Sequence, residues 1–435
     1  MLRRLLSPLV LLFLALLPSC DFGETPAPPV QEEAAPSPAL PPEVATALRS
    51  ETQSGDAQPG LRAAAQHCPT ELAAPYDAAR LSLGLYWYAP GTPDSPGGVG
   101  CLARADGGSI PGYYDPAKPV LIFVHGWQPG LVAQGWVPGT TLSTRRENFW
   151  FDAGGLNVAD LWLRAGWNIG FFHWSQLADD EHSLGMPFNA QAKIWTTTYG
   201  YGGNEQVGMR WKTAWGYSTE DMPRQPAGEL FYEAYRSALS QWSYDGPETV
   251  RVMGHSLGAQ MVLSLAEQAA HDPALPARLV PRRLILADPY WTPAVPRAGH
   301  HYDYLLPDPN PADRSARIAS GLVRRGTVIE WLKSSPLLDL GGDNNPGLLS
   351  LLTRVDLSPD YLSGGQPLLG SLGEKHMVAP RWYLWSLRDA PHAPGSAARS
   401  LAEAAALMQE RTVYRQRTGQ ATPSPDDDTF VDVGR

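Results

Sequence analysis

The chain has 435 residues, 43% of them hydrophobic and 10% aromatic, which is enough to bury a large core in one α/β domain. Its formal charge of −10 sits mostly at the ends: residues 1–20 contribute +2, residues 21–60 contribute −6 and residues 418–435 contribute −3, leaving −3 for residues 61–417. A central part so close to neutral carries no electrostatic footprint for nucleic acid, and no nucleic-acid partner is expected.

Residues 1–20 place Arg3 and Arg4 before an apolar run from Leu5 to Leu17, followed by small residues before Cys20. This is the pattern of an export signal and is too short for a comfortable membrane span. The ending Leu17-Pro18-Ser19-Cys20 resembles a bacterial lipobox, which implies an acylated Cys20 and a chain held on a membrane surface of the cell envelope. An ordinary signal peptide with an incidental cysteine is the alternative. Residues 21–60 are rich in Pro, Ala and Glu with almost no aromatics, so they cannot offset chain entropy and read as a disordered tether. Residues 61–417 read as one folded domain. The Pro423-Ser424-Pro425-Asp426-Asp427-Asp428 run makes 418–435 read as a disordered acidic tail. With Cys20 assigned to lipid, Cys68 and Cys101 form an even pair in an oxidising compartment and are expected to be a disulfide, with two buried thiols as the alternative. Neither stands beside a histidine at ligand spacing, so no metal is expected, and no cofactor.

Short runs of Val, Ile and Leu, each followed by a turn and a helical stretch, predict buried parallel strands with crossover helices. The strands are Val120–Val124, Asn168–Phe172, Thr249–Met253, Arg283–Ala287 and Thr327–Ile329. The helices are Val158–Ala165, Gly228–Trp242, Ala259–Ala270 and Ala397–Thr412. Gly254-His255-Ser256-Leu257-Gly258 falls at a strand-to-helix junction, the context a nucleophile elbow needs. Such a turn is strained and requires small residues two positions either side of the serine, which Gly254 and Gly258 supply. Ser256 is then raised above the strand ends at a helix N-terminus, where developing negative charge is favoured. The fold class is therefore α/β, an α/β-hydrolase fold with a mostly parallel central sheet and crossover helices on both faces. The loop after the first strong strand, Val124-His125-Gly126-Trp127, supplies the second oxyanion donor in this fold, so the backbone amides of Trp127 and Leu257 are the expected pair, with His125 structural.

A serine hydroxyl needs a histidine base, and the base needs an acid to hold its tautomer, in the chain order Ser, acid, His. Among the downstream histidines, His271 ends the nucleophile helix, His300 and His301 lie in a polar loop and His392 in a Pro-rich loop. His376 precedes the apolar run Trp382–Leu387, which places it on a loop at the edge of the core. Two strand-end carboxylates compete for the acid role, Asp288 and Glu330, and spacing alone does not choose between them.

The ordered set of motifs resembles the pancreatic-lipase-like lipases, a family that includes lipoprotein lipases and phospholipases A1. The resemblance runs in segments over roughly 119–387. Val124-His125-Gly126-Trp127 looks like the family's oxyanion loop, and Phe172-His173-Trp174-Ser175 resembles its Val-Asp-Trp strand end. Gly254–Ala259 matches its elbow, and Leu286-Ala287-Asp288-Pro289 resembles the Leu-Asp-Pro that carries its acid. Val355-Asp356-Leu357-Ser358-Pro359 with Gly364-Gly365-Gln366-Pro367 resembles the segment before its lid, and Lys375-His376-Met377 with Trp382–Ser386 its histidine segment. The resemblance implies a triad of Ser256, Asp288 and His376, with Glu330 as runner-up acid, acting on carboxylic esters of lipids or small esters. His173 stands where the family has Asp, Glu330 departs from its Asp-Val-Ile-His pattern, and its lid cysteines and calcium-loop pattern are not evident. Acyl transfer or peptide hydrolysis by the same residues, and lipid binding by a non-catalytic hydrolase fold, are the rival readings. Two further expectations concern access. Residues 175–227 read as an insertion whose Trp195, Tyr199, Tyr201, Trp211, Trp215 and Tyr217 form either a substrate-facing cap or a satellite cluster over the core. Only Leu368–Lys375 separate Pro367 from His376, too few for a helical flap over an acyl groove.

Overall fold

The computed structural model describes residues 68–73, 80–90, 100–130, 132, 152–153, 156–180, 187–201, 205–213, 215–294, 301–362 and 372–435. The export signal, Cys20 and the tether at 21–60 lie outside the described residues. Those described fall within one unit that contains Cys68–Arg435.

Ten strands form the central sheet: β1 Gly84–Tyr88, β2 Gly100–Leu102, β3 Val120–Val124, β4 Asn168–His173, β5 Arg251–His255, β6 Arg283–Ala287, β7 Val328–Lys333, β8 Arg354–Asp356, β9 Val413–Thr418 and β10 Thr429–Asp432. Their order is β10-β9-β8-β7-β6-β5-β3-β4-β1-β2. The seven from β9 to β4 are parallel, and antiparallel strands close both edges. The sheet is buried on both faces, which explains why β3 is an unbroken apolar run. Val120, Ile122 and Val124 enter one core and Leu121 and Phe123 the other.

Helices α2 Phe188–Trp195, α3 Ala227–Ala238, α4 Gly258–His271 and α5 Pro311–Arg324 pack into the first core, and α1 Val158–Arg164 and α6 Val378–Asp389 into the second. The last helix, α7 Leu401–Glu410, starts later than the expected Ala397. Ser400 accepts from the Glu403 amide while the Glu403 carboxylate accepts from Ser400 N–H, a capping box that sets the boundary. The chain moves from β3 outward to β4 on one side and to β5 on the other, so the strand order reverses at β3, the position at which open α/β sheets generally bind ligands beyond the carboxyl ends of their strands.

Cys68 and Cys101 form the disulfide, tying the segment before β1 to β2 across 33 residues. The tail expectation is overturned. Residues 418–435 are ordered, and β10 pairs antiparallel with β9 to form the sheet's edge. The Pro- and Asp-rich run is the turn between them. Asp428 accepts from Trp382 Nε1 at 2.6 Å and Gln416 Nε2 at 2.8 Å, and Phe430 meets the Trp382 ring edge-on at 5.8 Å. Composition hid this strand because the Pro- and Asp-rich turn reads as a disordered run, while one of the side chains that hold it, Trp382 on α6, lies 46 residues away.

Candidate active site

Ser256 sits between β5 and α4 with φ of 57°, a left-handed conformation that costs a non-glycine residue about 1–2 kcal/mol. The surrounding backbone leaves no room for side chains. A Cβ on Gly254 would lie 2.2 Å from Gly258 O, and one on Gly258 would lie 2.4 Å from Val124 O. A Cβ on Gly126 would lie 2.5 Å from Ser256 Cβ and 2.9 Å from Leu257 N, so the loop after β3 presses directly on the elbow. The amides of Trp127 and Leu257 donate to no described acceptor, while the next amide, Gln128, is engaged by Ala178 O.

His125 is buried, and burial pushes its pKa down to about 3, so the ring is neutral. Its Nδ1 pairs with Gly126 O at 2.8 Å, and its Nε2 accepts from Trp174 N–H at 3.3 Å. Trp174 Nε1 donates in turn to His125 O at 2.8 Å. The imidazole thus holds the shape of the loop that carries the Trp127 amide. His173, one residue earlier, pairs through Nε2 with Tyr88 Oη at 2.8 Å and stacks on Phe171.

His376 Nδ1 lies 2.6 Å from Asp288 Oδ2, and both side chains are buried. Asp288 is the residue after β6, with φ of 42°, and Ser256 N donates to its neighbour Ala287 O at 3.2 Å. His255, directly before Ser256, lies with its ring centroid 4.2 Å from that of His376 and pairs through Nε2 with His376 O at 2.9 Å. Pro380 explains this bond: four residues beyond His376, it has no N–H to offer that carbonyl, and His255 takes the place of the missing helical donor. Burial holds the His255 ring far below the usual imidazole range, so it is neutral and donates from Nε2. Among the described residues no hydrogen bond joins Ser256 Oγ to His376.

Three expectations need correction. His376 is not on a loop but ends the short helix Leu372–His376, one residue before α6. Glu330 is not at a strand end, because β7 runs on to Lys333. It lies diagonally across from Arg283 on the same face, and the two form a buried bidentate pair at 2.7 and 3.0 Å. Arg283 also donates to Arg399 O and Ser396 O, so Glu330 belongs to a structural charge network away from His376. The strand expected at Thr249–Met253 is displaced to Arg251–His255, which brings His255 to the strand end. Of the other histidines, His271, His301 and His392 are exposed and His300 lies outside the described residues. Two residues that the sequence reading missed are Ser334 and Ser335, which contact the Asp288–His376 pair. Their only signal is a pair of hydroxyls directly after a buried strand.

The aromatics of the insertion separate into buried and exposed ones. Tyr199 and Trp211 are buried, with Trp211 Nε1 donating to Glu220 O at 2.8 Å, and Trp195 Nε1 donates to Gln260 on the nucleophile helix at 3.0 Å. Trp215 is 67% exposed and Tyr217 38%. A buried Asp180, 2.6 Å from Lys193 and clasped bidentately by Arg210, fixes the base of this region. Trp211 and Trp215 therefore have different jobs and no longer form one test. Trp211→Ala should lower unfolding stability by about 3 kcal/mol, whereas Trp215→Ala should shift it by less than about 0.5 kcal/mol. Denaturant midpoints check this, and equal shifts would contradict it. Residues 368–371 of the short lid segment lie outside the described residues; Leu372–His376 is helical.

The parallel sheet with its order reversal at β3, and the left-handed serine between β5 and the helix that crosses behind it, define an α/β-hydrolase fold. No protein-family model and no curated protein sequence matches the chain. Solved structures similar to it are esterases and related hydrolases. Esterase B of Lactobacillus rhamnosis is 12% identical over 73% of this chain and 72% of its own, with a TM-score of 0.22. The poly(3-hydroxybutyrate) depolymerase of Bordetella parapertussis is 14% identical over 70% and 77%, with a TM-score of 0.25. A thioesterase domain from the curacin pathway matches over 42% of each chain at 14% identity, with a TM-score of 0.19. Superpositions this loose transfer no residue roles.

Proposed function

We propose that the protein is a serine hydrolase of carboxylic esters, with Ser256 as nucleophile. The observation that carries this reading is the 2.6 Å His376–Asp288 pair beside a left-handed serine. In the proposed mechanism His376 takes the Ser256 proton as Oγ attacks the ester carbonyl, and Asp288 steadies the resulting imidazolium. The Trp127 and Leu257 amides hold the oxyanion, and His376 returns the proton to the departing alcohol. Water activated by His376 then cleaves the acyl-enzyme. Each oxyanion donor is worth about 3 kcal/mol of transition-state stabilisation.

Within that class we favour lipid esters of the triacylglycerol lipase or phospholipase A1 type, because the ordered motifs resemble the pancreatic-lipase-like family. A fluorophosphonate probe followed by a rate panel tests both levels. Labelling lost on Ser256→Ala, with turnover of p-nitrophenyl butyrate, is expected; absence of labelling in the wild type would favour a non-catalytic lipid binder. Triacylglycerols and phospholipids should be cleaved faster than peptide or transfer substrates, and preference for either of the latter would refute the lipid assignment. We also propose an envelope-anchored enzyme acylated at Cys20, on the lipobox-like residues that precede it. Cys20→Ala should lose fatty-acid labelling and leave the membrane fraction, and unchanged labelling would refute the anchor.

A further inference from the structure

The acid and base of the proposed site are gripped by one dipeptide, Ser334–Ser335, at the carboxyl end of β7. Asp288 Oδ1 accepts from the Ser334 amide at 2.8 Å and the Ser335 amide at 3.2 Å, and Oδ2 accepts from the Ser335 hydroxyl as well as from His376. An ionised carboxylate offers about four lone-pair positions, and here four donors engage it. Three of the four come from the serine pair, so they determine the plane in which Asp288 meets the imidazole.

The other hydroxyl acts on the histidine. Ser334 Oγ donates to Lys375 O at 2.7 Å and accepts from Ala379 N–H at 3.1 Å. Those two groups are four residues apart and would bond to each other in a continuous helix. The hydroxyl stands between them as a wedge in the ladder, a recognised cause of a helix break. The break falls between Leu372–His376 and α6, immediately at His376. Pro380 leaves the next carbonyl without a donor, so the interruption continues at His376 O, where His255 is bonded.

We propose that Ser334 and Ser335 are positioning residues for the reaction: Ser335 orients the Asp288 carboxylate, and Ser334 sets the helix break that aims His376 at Ser256. The proposal rests on the assignment of Asp288 and His376 as acid and base. Neither serine contacts substrate in this scheme, so their removal acts on kcat and leaves KM alone.

The test is steady-state hydrolysis of p-nitrophenyl butyrate by the full chain carrying Ser335→Ala, Ser335→Thr, Ser334→Ala, Asp288→Asn and the Ser335→Ala/Asp288→Asn pair. Ser335→Ala and Ser334→Ala should each lower kcat by about tenfold or more with KM within about twofold, and Ser335→Thr, which keeps the hydroxyl, should recover most of the loss. In the Asp288→Asn background Ser335→Ala should cost less than about twofold, because residues that act as a unit are not additive. A merely structural serine would instead cost the same factor in both backgrounds, and that result overturns the proposal. If Asp288→Asn lowers kcat while Ser335→Ala retains it, the positioning role fails and the acid assignment stands. If Asp288→Asn itself retains kcat, the acid assignment fails and the positioning role falls with it.

Discussion

Ser256→Ala is expected to lower kcat for ester hydrolysis by a factor on the order of 10⁴ to 10⁶ while leaving the unfolding midpoint unchanged. The loss follows because His376 would have no hydroxyl to activate; the residual rate would come from the oxyanion amides and binding alone. The unchanged midpoint follows from the backbone. Alanine at φ 57° keeps the same steric penalty that serine bears, and it removes only one oxygen atom. Ser256→Gly separates the two effects. It should be equally inactive but more stable than Ser256→Ala by about 1 kcal/mol, because glycine adopts left-handed φ without that penalty. Parallel kcat and denaturant measurements on both variants decide the matter. Activity within tenfold of wild type in either would remove Ser256 from the mechanism.

The second large effect is a double dissociation between two buried carboxylates. Asp288→Asn should lower kcat by about 10⁴-fold, because the amide stabilises the wrong imidazole tautomer. Glu330→Gln should instead cost about 3–5 kcal/mol of stability by leaving Arg283 buried without its counter-charge, with kcat per folded molecule close to wild type. Arg283 keeps its carbonyl partners at Ser396 and Arg399. These soften the loss without supplying a negative charge. Rates at a temperature where both variants are folded, together with their unfolding curves, distinguish the roles. A catalytic collapse in Glu330→Gln alongside a mild Asp288→Asn would exchange them.

Much of the scaffold is legible locally. The Val120–Val124 and Arg283–Ala287 strands match their expected bounds residue for residue, because a strand covered on both faces is dominated by apolar residues, the buried Arg283 being neutralised by Glu330. The elbow is legible for a related reason: its glycines answer clashes within a few ångströms along the chain and against the adjoining loop. Reading failed where charge or composition stood in for contact. Glu330 resembles a strand-end acid until Arg283 is seen beside it, and the Pro- and Asp-rich tail resembles a disordered end until β9, Trp382 and Gln416 are found to hold it. Trp211 and Trp215 are four residues apart and chemically identical, yet one is buried and the other in water.

The sequence by itself determined the α/β pattern, the elbow at Ser256 and a short set of candidate acids and bases, since periodicity, glycine requirements and chain order are properties of neighbouring residues. The motif resemblance already joins His376 to Asp288; tertiary structure alone decided that they meet at 2.6 Å across 88 residues and that two serines and His255 hold that pair. Such contacts arise when parallel strands bring distant loops to one edge of the sheet, and no local pattern encodes which side chains then face each other.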